Sequence, residues 1–148
     1  MATKDRGNQQ AHEIKATNLT DEERRFLEEH ADELSDSTMR ARWIHSLDEH
    51  AERPGQTLAT QSHEVIQSWA EERGGRPATV PDTEHDGRPG VLRMVFTQEG
   101  SDRLQEIEWE EWFRPFDERQ LVFVYQEVKK DGSQSNFFRL DSPEREDG

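Results

Sequence analysis

The sequence predicts an α+β fold, a small antiparallel sheet of three or four strands packed by helices on one face, with a helical N-terminal extension. Two kinds of periodicity carry this expectation. Val65, Ile66, Trp69 and Ala70, and again Trp109, Trp112, Phe113 and Phe116, recur at helical spacing. The runs 91–96, 121–128 and 135–140 are rich in β-branched and aromatic residues and are bounded by turn-forming residues.

Composition limits how large the core can be. Of 148 residues, 30% are hydrophobic and 35% charged, and the mean hydropathy is −1.16. Such values lie towards the disordered end of the range, while four Trp and seven Phe are enough to fold part of the chain. One domain with loose ends is therefore expected, with residues 1–17 a disordered arm, 18–56 a helical extension, 57–140 the α+β domain and 141–148 a disordered acidic tail.

From the N-terminal side, Thr20-Asp21-Glu22-Glu23 is a capping box that starts a helix carrying Leu27, Ala31 and Leu34 and stopping near Ser35. Met39, Trp43, Ile44 and Leu47 fit a second helix between Thr38 and Arg53, which Pro54-Gly55 ends. A third helix runs from about Ser62 to Arg73, where Gly74 supplies a left-handed stop. Arg76-Pro77-Ala78-Thr79-Val80 is extended, residues 81–90 form an exposed loop, and a strand over 91–96 is followed by a short one near 104–107. Pro115 interrupts the aromatic helix that begins at Trp109. Asp131-Gly132 turns the strand 121–128 into a hairpin.

Charge and cysteine content exclude several functions. There is no cysteine, so thiolate catalysis, disulfide scaffolds and sulfur-ligated zinc are ruled out, and the cytoplasm is the expected compartment. Neither a signal peptide nor a membrane-spanning run is evident in the sequence. A net charge of −14, with basic residues scattered among the acids, argues against nucleic acid and leaves open a basic protein as partner, a high-salt cytoplasm or mimicry of DNA by an acidic surface.

Candidate chemistry is sparse, and no cofactor is expected. His45, Asp48, His50 and Glu52 contain metal-ligating types, but a spacing of five places the two histidines about 500° apart around a helix, off a shared face. No metal site is therefore assigned. His63-Glu64 opens a helix without a nucleophile beside it, and His85 sits alone in the exposed loop. Glu106, Glu108, Glu110 and Glu111 around Trp109 suggest a glycosidase carboxylate pair only superficially, since acids belong in a helix's first turn on dipole grounds. The Gly74-Gly75 turn follows a helix instead of preceding one, which excludes a phosphate-cradling loop. Arg73, Arg76, Arg88 and Arg93 remain candidates to converge on an anion near that turn.

Ser68 to Ala78, Pro89 to Arg93, Trp109 to Phe113 and Leu121 to Gln126 carry a resemblance. Together they resemble a family of small uncharacterised bacterial proteins with the pattern W-x-E-x-R-G-G-x-P-A, then G-V-L-R, then L-V-F-V-Y-Q, over roughly residues 62–140. Some members bear the label 1,4-α-glucan branching enzyme. That chemistry requires a (β/α)₈ barrel, which 148 residues cannot supply. The resemblance thus implies a fold and no catalytic residue. The sequence departs from the pattern at Thr97-Gln98-Glu99 and at Pro115.

No catalytic residues are assigned. The expected function is a non-enzymatic interaction module binding a protein or a small anionic ligand through Arg73, Gly74, Gly75, Arg76, His85 and Arg93. Two alternatives remain: a small enzyme or metal protein using histidines and acids, and an acidic inhibitor that mimics DNA.

Overall fold

The computed structural model describes residues 13–84, 87, 89–96 and 103–143. Its elements in chain order are α1 (Asp21–Glu29), α2 (Asp36–Arg40), β1 (Arg42–Trp43), β2 (Leu58–Thr60), α3 (His63–Glu72), β3 (Arg76–Thr79), β4 (Leu92–Val95), β5 (Gln105–Glu106), α4 (Trp109–Glu118), β6 (Val122–Tyr125) and β7 (Phe138–Asp141). The fold is α+β. Its strands divide into a four-stranded sheet of order β1-β2-β6-β7 and a three-stranded sheet of order β4-β3-β5, where a single sheet was expected. Pairing is antiparallel except between β1 and β2.

Strand β6 lies inside the larger sheet with all of its residues buried, because both faces are covered. Successive side chains of a strand point to opposite faces. Phe123 and Tyr125 accordingly enter one core with Ile66, Trp69, Trp112 and Phe116, while Val122 and Val124 enter a second with Leu27, Leu34, Met39 and Trp43. Helices therefore cover both faces of this sheet, not one. Exposing only one face would leave an alternating pattern; the continuous Val-Phe-Val-Tyr run is what two-sided burial requires.

The N-terminal residues supply the second face. Thr20 and Glu23 form the capping box, each backbone N–H donating to the other's side-chain oxygen at 3.0 Å. α1 ends at Glu29 and residues 30–34 turn, so Leu34 reaches the core beyond the helix. The backbone of residues 15–17 bonds to Met39, Ala41 and Trp43, and Ala16 is buried. The helix expected between Thr38 and Arg53 is replaced by the short α2 and by β1, which pairs Arg42 with Leu58 and Trp43 with Ala59. The physical reason is burial: Trp43 and Ile44 enter opposite cores, a two-residue alternation that strands provide and helices do not.

Two further expectations change. α4 runs on through Pro115 to Glu118; Pro115 lacks one N–H, yet its carbonyl still accepts from Arg119 at 3.0 Å and the residue is buried. Asp141, expected to open the acidic tail, is the last residue of β7 and only 3% exposed. Its Oδ2 accepts from the Ser35 N–H at 2.8 Å and from the Thr38 hydroxyl at 2.5 Å, tying the C-terminal strand to the start of α2. The hairpin forms as expected: Lys129 N–H donates to the Ser133 carbonyl and Gly132 takes φ +90°. Among the described residues no helix is long and apolar enough to cross a membrane.

Buried hydrogen bonds to a charged acceptor are each worth about 1.5–3 kcal/mol, and removing the acceptor strands its donors. Asp141→Ala is therefore expected to lower stability by about 2–4 kcal/mol in urea unfolding. Asp141→Asn, which keeps one carbonyl oxygen, should lose less.

Candidate functional site

The Gly74-Gly75 turn is a helix terminator of the Schellman type. The Gly75 N–H donates to the Ala70 carbonyl at 2.7 Å and the Gly74 N–H to that of Glu71 at 3.2 Å, closing the orphan carbonyls of α3. Gly74 holds φ +72°. At Gly75 a Cβ would come within 2.9 Å of the Phe96 ring, so the second glycine makes room for an aromatic side chain.

Arg73 is enclosed by the same architecture, its side chain 3% exposed. Its Nε donates to the Ser135 carbonyl at 2.6 Å, and its terminal nitrogens donate to the carbonyls of Trp69 and Glu127, each at 2.9 Å. The guanidinium also lies 4.5 Å from the centre of the Trp69 ring. Burial lowers its pKa, an effect opposed by Glu72. Arg73 thus binds α3 to the turn after β6, its three nitrogens donating to backbone carbonyls and one of them also to the Glu72 carboxylate at 3.4 Å.

Arg76 points elsewhere. It holds Glu106 of β5 in a two-point pair, Nε to Oε1 at 3.0 Å and an Nη to Oε2 at 2.9 Å. This hydrogen bonding raises the Arg76 pKa and lowers that of Glu106. Arg93 is exposed on β4, in register with Ala78, which also pairs with Glu106. Arg76 and Arg93 therefore share one face of the smaller sheet, while Arg73 belongs to the other side of α3's end. His85 and Arg88 lie outside the described residues.

Each histidine of the described residues meets a carboxylate. His45 sits between Glu23 at 2.7 Å and Glu49 at 3.1 Å; His50 meets Glu127 at 2.9 Å; His63 meets Asp117 at 2.8 Å and stacks on Phe113 with ring centres 4.0 Å apart; His30 meets Glu33 at 2.9 Å. His45 and His50 thus serve different partners. Among the described residues no group of three or more His, Asp or Glu is arranged to hold a metal ion, and no hydroxyl is hydrogen-bonded to a histidine ring. The acids around Trp109 are dispersed as well: Glu106 pairs with Arg76 and Glu111 accepts from the Glu108 N–H, while Trp109 packs on Trp112 and Phe113.

A cleft of about 450 Å³ opens between the loop 46–50, α3 and the end of β6. Leu47 and Val65 give it apolar walls, Ser46 and Ser68 hydroxyls, and Glu49, Glu72 and Glu127 carboxylates. Trp69 and Tyr125 line it from the core side. The Trp69 indole N–H donates to the Gln126 carbonyl at 2.9 Å. The Tyr125 hydroxyl differs: the side chain is 1% exposed, yet the hydroxyl has no hydrogen-bond partner among the described residues. Burial, then the Glu127 carboxylate, pushes its pKa well above the ordinary tyrosine range, and Arg73 and Glu49 also act on it. Tyr125, Glu49, Glu127 and Arg73 all line the cleft.

Sequence reasoning missed this cleft. Trp69 reads as helix core and Tyr125 as strand core, and both are; only the polar tip of the chain's one tyrosine, inside an otherwise apolar run, signals something more. Glu49 and Glu127 lie 78 positions apart and read as solvated acids.

Two consequences are measurable. Gly74→Ala forces a left-handed conformation on a residue with a Cβ but meets no atom within 4 Å, so it should cost about 1 kcal/mol by backbone strain alone. For His45, burial lowers the pKa, but the hydrogen bonds and charges of Glu23 and Glu49 together outweigh it and hold the pKa above the ordinary 6.5. The folded state then binds this proton more tightly than the unfolded state, so the stabilisation is complete below 6.5 and is lost as pH rises through the folded pKa. Urea midpoints measured across that window should fall with pH in the wild type more steeply than in His45→Gln. Comparison of the chain with protein-family models, with curated proteins and with solved structures found no match.

Proposed function

We propose that the chain is a non-enzymatic cytoplasmic binding module whose site is the cleft lined by Trp69 and Tyr125. One observation carries this reading: a cleft of about 450 Å³ with apolar walls from Leu47 and Val65, Trp69 and Tyr125 on its core side, and hydroxyls and carboxylates as polar groups. Pockets that bind ligands combine apolar walls with a few placed polar groups, and this cleft has that composition.

A binding role is also supported by how the titratable groups are used. The described histidines are held by carboxylates without a nucleophile beside them, which suits clamping the fold and offers no His-activated side-chain nucleophile. The expected Arg73-Gly74-Gly75-Arg76 site has its groups committed to α3's terminator, to backbone carbonyls and to Glu106. Arg93, exposed on the smaller sheet on the same face as the Arg76–Glu106 pair, marks the rival surface.

Capture of partners from native lysate separates the two surfaces. Ser68→Trp, a half-buried position on α3, fills the cleft; Arg76→Ala with Arg93→Ala strips the rival face. Loss of a specific partner with Ser68→Trp and its retention by the double variant is the expected result. The reverse would assign function to the Arg76–Arg93 face, and retention by both variants would reject both surfaces.

A further inference from the structure

We infer that His45 is a pH-sensitive latch that, as an imidazolium, holds the loop 46–50 against the start of α1 and, on losing its proton, releases that loop. The loop is one wall of the cleft, but the latch stands whether or not the cleft takes a ligand.

Hydrogen-bond geometry selects the charged form. The ring lies between two carboxylates, with Nε2 2.7 Å from Glu23 Oε1 on α1 and Nδ1 3.1 Å from Glu49 Oε1 in the loop. A neutral imidazole donates from one nitrogen and accepts at the other; only the imidazolium donates from both. Each of these oxygens also accepts a backbone N–H, Glu23 Oε1 from Thr20 at 3.0 Å and Glu49 Oε1 from His45 itself at 2.7 Å, which keeps it facing the ring. Loss of the proton therefore sets a nitrogen lone pair against a carboxylate oxygen, and the contact is relieved only when one carboxylate moves away. Among the described residues the charged groups facing the ring are Glu23 from α1 and Glu49 from the loop. Asn18, from the segment before α1, hydrogen-bonds Glu49, and the His45 N–H holds the Glu49 carboxyl below its ordinary range against its burial.

Anchoring decides which side yields. Glu23 belongs to a capping box on a helix whose Leu27 is fully buried in the second core. The loop is held less firmly: Leu47, Asp48 and His50 are exposed, and its own backbone bond, from the Glu49 N–H to the Ser46 carbonyl, is 3.2 Å long. The neutral ring thus keeps its proton on Nε2, at the shorter contact to the anchored Glu23, and Glu49 leaves with the loop. The far end of the loop stays tied, His50 and the Ala51 N–H both meeting Glu127. Burial lowers the His45 pKa, and the two glutamates outweigh it and hold it above 6.5. The latch is accordingly closed below 6.5 and opens as pH rises through the folded value.

The test is NMR on the isotope-labelled full chain without any ligand, titrated from well below the ordinary histidine pKa to well above it. At the acid end both ring nitrogens of His45 should carry protons. As the ring titrates, the amide protection factors of His45 and Glu49 should fall about tenfold or more at the same midpoint, while those of Arg24 in α1 and Ile44 after β1 fall less. His45→Gln should abolish the transition at Glu49 and His50→Gln should leave it, which separates the latch from the loop's other histidine. Glu49→Gln removes one of the two charges on the ring and should move the His45 midpoint down, a readout that remains where His45→Gln disturbs the fold. An unprotonated ring nitrogen at the acid end, an equal fall at all four amides, or loop protection that does not follow the His45 midpoint overturns the inference. Loss of protection at Arg24 ahead of Glu49 also overturns it, since α1 would then be the element that yields.

Discussion

Two-sided burial of β6 is the constraint on which the remaining structure depends. Its four residues carry Phe123 and Tyr125 into one core and Val122 and Val124 into another, so neither core can form without the strand that divides them. Each such side chain contributes about 1.5–3 kcal/mol when removed from water, and the gain is realised only when both faces are covered. The N-terminal residues are therefore integral to the sheet: Leu27, Leu34, Met39 and Trp43 cover one side as α3 and α4 cover the other. Asp141 closes the arrangement by joining the last strand to Ser35 and Thr38, more than a hundred positions earlier.

The same strand delivers the cleft. Tyr125 ends β6, and its ring joins the aromatic cluster around Trp69 while the residue also lines the cleft. Arg73 anchors the adjoining wall, bonding the end of α3 to the carbonyls of Glu127 and Ser135 across the turn that follows. The loop 46–50 forms the other wall and is held at both ends by histidine–carboxylate contacts, His45 with Glu23 and Glu49, and His50 with Glu127. Arg73 therefore acts as scaffold for a site it was expected to occupy as a ligand-binding group. A guanidinium sunk among carbonyls is rigid and satisfied, and its value lies in fixing the geometry of Trp69 and Glu127.

Much of the local structure was legible. The capping box at Thr20, the helix from His63 closed by Gly74, the hairpin at Asp131-Gly132 and the aromatic stripe of α4 all rest on interactions within a few positions of one another, and these the chain encodes locally. The segment around Trp43 was not legible, because Met39, Trp43, Ile44 and Leu47 satisfy a helical period as well as the observed extended path. What selects the strand is the parallel partner Leu58–Ala59, an interaction that spacing within the segment does not reveal.

The sequence by itself determined the class of fold, the positions of most helices and strands, and the absence of thiol chemistry, because propensity, capping and composition act over short separations. Tertiary structure alone decided that the strands form two sheets, that the N-terminal residues complete a second core, and that Glu49, Glu72, Glu127 and Tyr125 face one cleft. The reason is physical: which acids share a cleft, and which hydroxyl is left without a partner, depend on contacts between residues far apart in the chain. A single sequence records each of those residues but not their meeting.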